Sequence, residues 1–242
     1  MSKKSADASR AARAQAALEA RRRGDRNRQM AVAGAIVAVL VLVVGVVFFL
    51  SSRQDTTGDV PQATPDGATD DYGLVVGDAS APTEIVIYED PQCPVCAQLE
   101  DAVGEPLAEA VEAGEVRVEY RVVSFLDNAS TNDYSSRAAN VLAATYDVAG
   151  AEAFAELHET LFAEQTPEGG PGHEDDQLVE YAVAAGADEA EIRPLVEGGA
   201  YDQWVENATD AMSRNGVNGT PTVFVDGERA EDPLQGILDA LS

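Results

Sequence analysis

Hydrophobic and polar positions divide this chain into four parts. Ala31 to Leu50 is an unbroken apolar run without a charge. As a helix, at ~1.5 Å per residue, it spans about 30 Å, the hydrocarbon thickness of a bilayer. Residues 30–50 are therefore expected to form one transmembrane helix. Residues 1–29 are rich in Ala, Arg and Ser and offer no apolar face wide enough for a core. That is the pattern of a disordered basic tail. Residues 51–71 are polar and rich in Pro, Gly, Thr and Asp, as in a flexible tether. From Tyr72 the pattern becomes globular, and 72–242 is long enough to bury a core of its own.

Inside that domain the periodicity switches from strand to helix and back. Gly73–Gly77 reads as a short strand, and Thr83–Tyr88 as a buried one, with Ile85, Val86, Ile87 and Tyr88 in a row. Gln98–Leu107 places Leu99, Val103 and Leu107 on one helical face, and Gly114 is placed to end that helix. Val116–Phe125 alternates Val116, Val118, Tyr120 and Val122 against polar neighbours, a half-buried strand. Strand, helix and strand in this order imply parallel pairing through a right-handed crossover. About 132–215 the pattern is helical: Ser135–Val148, Ala151–Gln165, Asp175–Ala185, Asp188–Glu197 and Tyr201–Asn215, with a break at Gly169–Gly172. Gly216–Gly219 then turns into Thr220-Pro221, a strand, an Asp226-Gly227 hairpin turn and a short edge strand at Arg229–Glu231. Leu234–Leu241 closes as a helix with Leu234, Ile237, Leu238 and Leu241 inward. The class is α/β.

Charge sets the orientation. The formal net charge is −27, but residues 1–50 carry nine Lys and Arg against three acids, or +6. The remainder carries −33, with seven Arg and no Lys. Arg21, Arg22, Arg23, Arg26 and Arg28 flank the apolar run on its amino side, and only Arg53 lies close on the other. The positive-inside rule puts the tail in the cytoplasm and the domain outside, single-pass in the cell membrane. The run ends in Val47-Phe48-Phe49-Leu50, bulky where a cleavage site needs small residues, so a retained anchor is expected. So acidic a domain is unsuited to nucleic acid, whose phosphates need clustered cations. Its acids read as a solvated surface.

The chemistry lies at Cys93-Pro94-Val95-Cys96, the only two cysteines in the chain, where the Thr83–Tyr88 strand hands over to a helix. Unpaired N–H groups at a helix start favour negative charge, so a cysteine there is stabilised as thiolate. Pro94 suits the first helical position. A structural disulfide closing so short a loop would restrain the unfolded chain little. A zinc site needs about four ligands, and His158 and His173, the only histidines, have no ligand spacing to the cysteines. A redox-active dithiol without metal is the reading that remains. Cys93 is expected exposed at the helix start, and Cys96, one turn further in, more buried. His158 reads as a packed structural histidine, Trp204 as core and His173 as loop surface.

These residues resemble a known family. Cys-Pro-x-Cys after a strand, an all-helical insertion containing Phe154–Phe162, and Gly216-x-x-Gly219-Thr220-Pro221-Thr222 before a strand are similar to DsbA-like thiol–disulfide oxidoreductases of the thioredoxin superfamily. The resemblance covers about 72–242. It implies a thioredoxin fold with an inserted helical subdomain, here behind a single N-terminal transmembrane helix. It makes Cys93 and Cys96 the catalytic pair and Pro221 the cis-proline. Thr220 would meet an incoming peptide, with Pro94 and Val95 on the substrate side, and no cofactor is implied. The implied activity forms or exchanges disulfides in reduced or unfolded secreted and surface proteins. A membrane partner of the DsbB or vitamin-K-epoxide-reductase type would reoxidise the enzyme. A disulfide reductase or isomerase on the same site, a Cu(I) chaperone, or a binding module with a vestigial dithiol are the alternatives. The absence of a Met or His cluster beside the cysteines weighs against copper. Two departures stand out. The family's buried acid, six residues before the first cysteine, is Ile87 here. Val95 stands where the strongest oxidants have His. Glu89, Asp90, Glu100 and Asp101 surround the dithiol without a Lys or Arg, so a weaker oxidant is expected. On a strand, Glu89 would share the face of Ile87.

The orientation is open to direct test. Protease added to intact cells is expected to digest the carboxy-terminal domain and spare the basic tail. Complete protection of the domain would reverse the topology.

Overall fold

In the computed structural model, residues 59–242 are described. The expected basic tail, the expected transmembrane helix and part of the expected tether lie outside the described residues. Among the described residues no helix is long and apolar enough to cross a membrane.

The organising strand is β2, Thr83–Glu89. Its alternation points Ile85, Ile87 and Glu89 to one face and Val86 and Tyr88 to the other, and all five are buried. A strand covered on both faces belongs in the middle of a sheet. Its neighbours are β3 (Val116–Val122), parallel, and β4 (Thr222–Val225), antiparallel. Outside them lie β1 (Leu74–Val76) and β5 (Glu228–Arg229), giving the order β1-β3-β2-β4-β5. The expected parallel pairing of the strands that flank the dithiol helix is present, with Ile85 opposite Val118 and Glu89 opposite Val122.

That helix, α1 (Pro94–Glu112), buries Cys96, Leu99, Val103, Leu107 and Ala110 along one face. It ends at Ala113, and Gly114 takes the left-handed conformation (φ 71°) that lets Gly114 N–H bond Val111 O and Glu115 N–H bond Ala110 O. The β4–β5 hairpin turns on Asp226 (φ 50°) and Gly227 (φ 81°), both left-handed as a two-residue turn requires.

The helical insertion runs from α2 (Tyr134–Ala163) through α3 (Asp175–Ala184) and α4 (Glu189–Glu197) to α5 (Asp202–Arg214). The two helices expected over 135–165 are halves of α2, broken at Gly150, whose φ of 86° is non-helical. Both halves feed one core with the sheet: Leu142, Phe154, Leu157 and Leu161 join Ile85, Ile87 and Leu107. Trp204 is buried there as expected, edge-on to Tyr72 at 5.8 Å between ring centroids.

The last helix, α6 (Pro233–Ala240), departs in part from the expected face. Ile237 is buried, but Leu234 and Leu238 are 40% and 39% exposed. Gly236 sits so close to Ala230 that a Cβ there would lie 2.6 Å from the alanine methyl. Ile237 and Leu241 face the core as expected, together with Gly236 and Ala240, while Leu234 and Leu238 do not.

Candidate active site

The turn from β2 into α1 is fixed from three directions. Asp90, wholly buried, accepts hydrogen bonds from Gln92 N (2.8 Å), Leu126 N (2.8 Å) and Ser135 Oγ (2.6 Å). One carboxylate thus holds the turn, the connection after β3 and the first turn of α2 together. Burial pushes its pKa up to about 6 against the pull of these donors. From just beyond the far end of α2, Gln165 Nε2 donates to Pro91 O (2.9 Å) and Cys93 O (3.1 Å). The insertion therefore clamps the dithiol turn at both ends of its longest helix. Cys93 is the N-cap of α1, with Pro94 at the first helical position.

Both cysteines are free thiols. Cys93 is 5% exposed and Cys96 1% exposed. The order of burial matches the sequence reading, but Cys93 is not exposed. Phe162, Leu126 and Ala97 pack over the two sulfurs, and the proline loop closes on Cys93. The atoms that reach solvent belong to Pro94 and Val95 instead, and Val95 is 55% exposed. Thr220, 127 residues away, is brought against the dithiol, with its carbonyl oxygen 3.4 Å from Cys93 Sγ. The Thr220–Pro221 bond is cis. Thr222 Oγ1 donates to Gly219 O at 2.8 Å and ties the loop to itself.

The two thiols are driven apart in acidity. The Cys96 hydrogen bond to Cys93 is the main force that lowers the Cys93 pKa to about 5. Burial opposes it, while the Thr220 side chain and the N–H groups of Cys96 and Val95 add to it. Cys96 moves the other way. Burial pushes its thiol far above the usual range, and the Cys93 and Glu89 charges push it further. A proton therefore rests on Cys96 and a thiolate on Cys93 across the neutral range.

Behind the sulfurs lies a second ionisable group. His158 is buried, with Nε2 2.5 Å from Glu89 Oε1 and Nδ1 4.0 Å from Glu100 Oε2. Its ring is boxed by Tyr120, Phe154 and Phe162, with centroids at 4.5, 5.7 and 4.9 Å. Phe162 also covers the dithiol. Burial works against an imidazolium, but Glu89 and Glu100 outweigh it and raise the His158 pKa to about 9. Burial raises Glu100, which His158 partly offsets. Donor atoms of Glu89, Glu100 and His158 lie within 4.8 Å of one another, a set that a divalent cation could use. The hydrogen bond from Nε2 to Glu89 already matches charge with charge, so the group reads as a proton store.

The sequence reading of His158 as a packed structural histidine agrees with this burial. The side chain is buried and satisfied, and the partner is Glu89, 69 residues away. The available signal was Glu89 itself: an acid on the inward face of a strand needs a partner, and the domain has no Lys. The acids near the dithiol are correspondingly not unopposed negative charge, as the expectation of a weak oxidant assumed. His173, expected on loop surface, packs against Tyr134 and Tyr181 at 5.8 and 5.3 Å and reaches Glu164 O at 2.8 Å through Nε2.

A thioredoxin family model matches residues 69–239. Among solved structures, the reduced disulfide bond oxidoreductase DsbG of Mycobacterium tuberculosis is similar, with 28% identity and a TM-score of 0.64 over 72% of this chain and 88% of that one. Oxidised DsbA of the same organism is also similar, with 28% identity and a TM-score of 0.61 over 69% of this chain and 90% of that one. The serine/threonine-protein kinase PknE of M. tuberculosis is 30% identical over 162 residues, 63% of this chain and 28% of that protein. The chain spans about a quarter of the length of the curated relatives it matches.

The buried histidine makes stability depend on pH. Its folded pKa, about 9, lies above its ordinary value of 6.5. Such a group stabilises fully below the lower value, and the contribution is lost as pH rises through the upper one. The raised Glu100 acts with the same sign. In the oxidised full-length protein neither thiol titrates. Its denaturant midpoint is expected to fall as pH rises from 6.5 to 9. His158→Gln is expected to be less stable and to show a flatter slope in that window. An unchanged slope would contradict the ion pair.

Proposed function

The chain belongs to the thioredoxin family, and on that premise we propose that it forms or exchanges disulfides in secreted and surface proteins from a membrane anchor. Its chemistry is that of a protein-disulfide oxidoreductase. The observation that carries this reading is the meeting of two free cysteines at the start of α1 with the cis Thr220–Pro221 loop, Thr220 O lying 3.4 Å from Cys93 Sγ, a placement that a structural cysteine pair has no use for.

The split in acidity between Cys93 and Cys96 assigns the roles. A low-pKa thiol is mostly thiolate and leaves readily, and its stability favours the reduced protein, so the disulfide tends to oxidise its partners. In the oxidising direction a substrate thiolate attacks Cys93 Sγ of the Cys93–Cys96 disulfide. That bond breaks as the mixed disulfide forms, and Cys96 leaves with the electron pair. Buried Cys96 cannot remain a thiolate and takes a proton. Protonated His158, paired with the Glu89 carboxylate whose charge is felt at Cys96, is the group placed to supply one. A second substrate thiolate then attacks the substrate sulfur of the mixed disulfide, and Cys93 leaves as thiolate without needing a proton. The substrate has lost two electrons and the dithiol has gained them.

Val95, exposed between the two cysteines, and Phe125, at 48% exposure, offer apolar surface to an unfolded chain. Thr220 and Pro221 would receive its backbone as an added strand. Placement outside the cytoplasm rests on the charge asymmetry around residues 30–50 and on the persistence of disulfides there. Reoxidation would fall to a membrane partner of the DsbB or vitamin-K-epoxide-reductase type, which must accept two electrons per cycle.

Trapping tests the assignment. Cys96→Ser is expected to accumulate a mixed disulfide with reduced or unfolded protein on Cys93, released by reductant. Cys93→Ser is expected to accumulate little. Equal trapping by both, or trapping only by Cys93→Ser, would overturn the roles.

A further inference from the structure

Over residues 59–242 six arginines stand against 39 Asp and Glu, a formal −33. Five of the six are matched to carboxylates. Arg117 pairs with Glu84, Arg121 with Glu119 and Asp71, and Arg137 with Asp175. Arg193 pairs with Asp176, Glu189 and Glu197, and Arg214 with Asp210. Among the described residues, Arg229 is the one arginine without such a pair, although acids outnumber it on every side.

Its position is specific. Arg229 is exposed at the end of β5, and its Nη2 donates to Thr222 Oγ1 at 3.4 Å. Thr222 Oγ1 in turn donates to Gly219 O. The guanidinium is thereby held on the loop that presents Thr220 to Cys93. Pro221, Thr222, Arg229, Ala230, Glu231 and Pro233 line one groove of about 290 Å³ beside the cis-proline. A guanidinium has five N–H donors in a planar fork suited to a carboxylate, and only one is engaged here.

We propose that Arg229 is a specificity residue that pairs with an Asp or Glu side chain one or two residues from the reactive cysteine of the substrate. The inference rests on the oxidoreductase reading above and names a substrate class for the same site. The overall negative charge does not exclude such a contact, because charges more than ~8 Å away are largely screened at physiological salt. Glu231, in the same groove, admits one carboxylate against Arg229 but repels a run of them. The preferred substrate is therefore a segment with a single acid beside its cysteine, rather than an acidic tract.

The test uses oxidised full-length protein in a single turnover against three reduced dithiol peptides that differ only beside one cysteine, carrying Asp, Asn or Lys. Rates are compared with those of Arg229→Gln, which cancels the effect of the neighbouring charge on the peptide's own thiol. An exposed ion pair predicts that wild type prefers Asp over Asn by roughly two- to fivefold more than the variant does, with the margin shrinking at high salt. Arg229→Glu is expected to shift the preference to Lys. Equal Asp-to-Asn ratios in wild type and Arg229→Gln, or an unchanged order in Arg229→Glu, would overturn the inference while leaving the oxidoreductase reading intact. Failure of wild type to oxidise any of the three peptides would overturn the oxidoreductase reading, and the inference with it.

Discussion

The pairing of a buried Cys96 thiol with the Cys93 sulfur at the start of α1 is the interaction the rest of this site serves. It costs Cys96 its acidity and gives Cys93 a stable negative charge. The two sulfurs must be fixed relative to each other, one must be dry, and a donor must face the other. Asp90 and Gln165 fix the turn. Phe162 and Leu126 exclude water. The proline loop brings Thr220 from the opposite end of the domain. The helical insertion is thus part of the site, since α2 supplies Ser135 and Phe162 to it and the segment just after α2 supplies Gln165.

Burying a reactive pair beside acids creates a second constraint. Glu89 occupies a core-facing position of the central strand and is 1% exposed. An unpaired carboxylate there would be strongly destabilising, and breaking a buried pair typically costs about 3–5 kcal/mol. His158 meets that need from α2, and the charge of its partner Glu89 is felt at Cys96. One pair therefore joins the stability of the sheet–helix interface to the proton balance of the dithiol. Ile87, the position of the family's buried acid, lies on the same strand face two residues earlier, so Glu89 approaches the same interior from a nearby point.

The strands and helices were readable from the sequence because their signals are local. Alternation in Thr83–Glu89 and Val116–Val122, Pro94 at a helix start and Asp226-Gly227 at a hairpin each act within a few residues. The dithiol was readable because cysteine occurs nowhere else in the chain. The partnership of Glu89 with His158 was not, because it joins a strand to a helix 69 residues later and no short pattern encodes it. The burial of Cys93 escaped for the same reason: Leu126, Phe162 and Thr220 arrive from three separate segments. The exposure of Leu234 and Leu238 escaped as well, because the contact of Gly236 with Ala230 joins two segments that no helical periodicity relates.

The most direct test of this account is the ultraviolet absorbance of the thiolate, followed through a pH titration of the fully reduced protein. One thiolate is expected to appear with a midpoint near pH 5 and to be absent from Cys93→Ser. No second thiolate is expected to appear through the neutral range, because Cys96 holds its proton. A first midpoint at the ordinary thiol value of about 8.5, or a midpoint near 5 that survives in Cys93→Ser, would contradict the unequal sharing of one proton on which the mechanism stands.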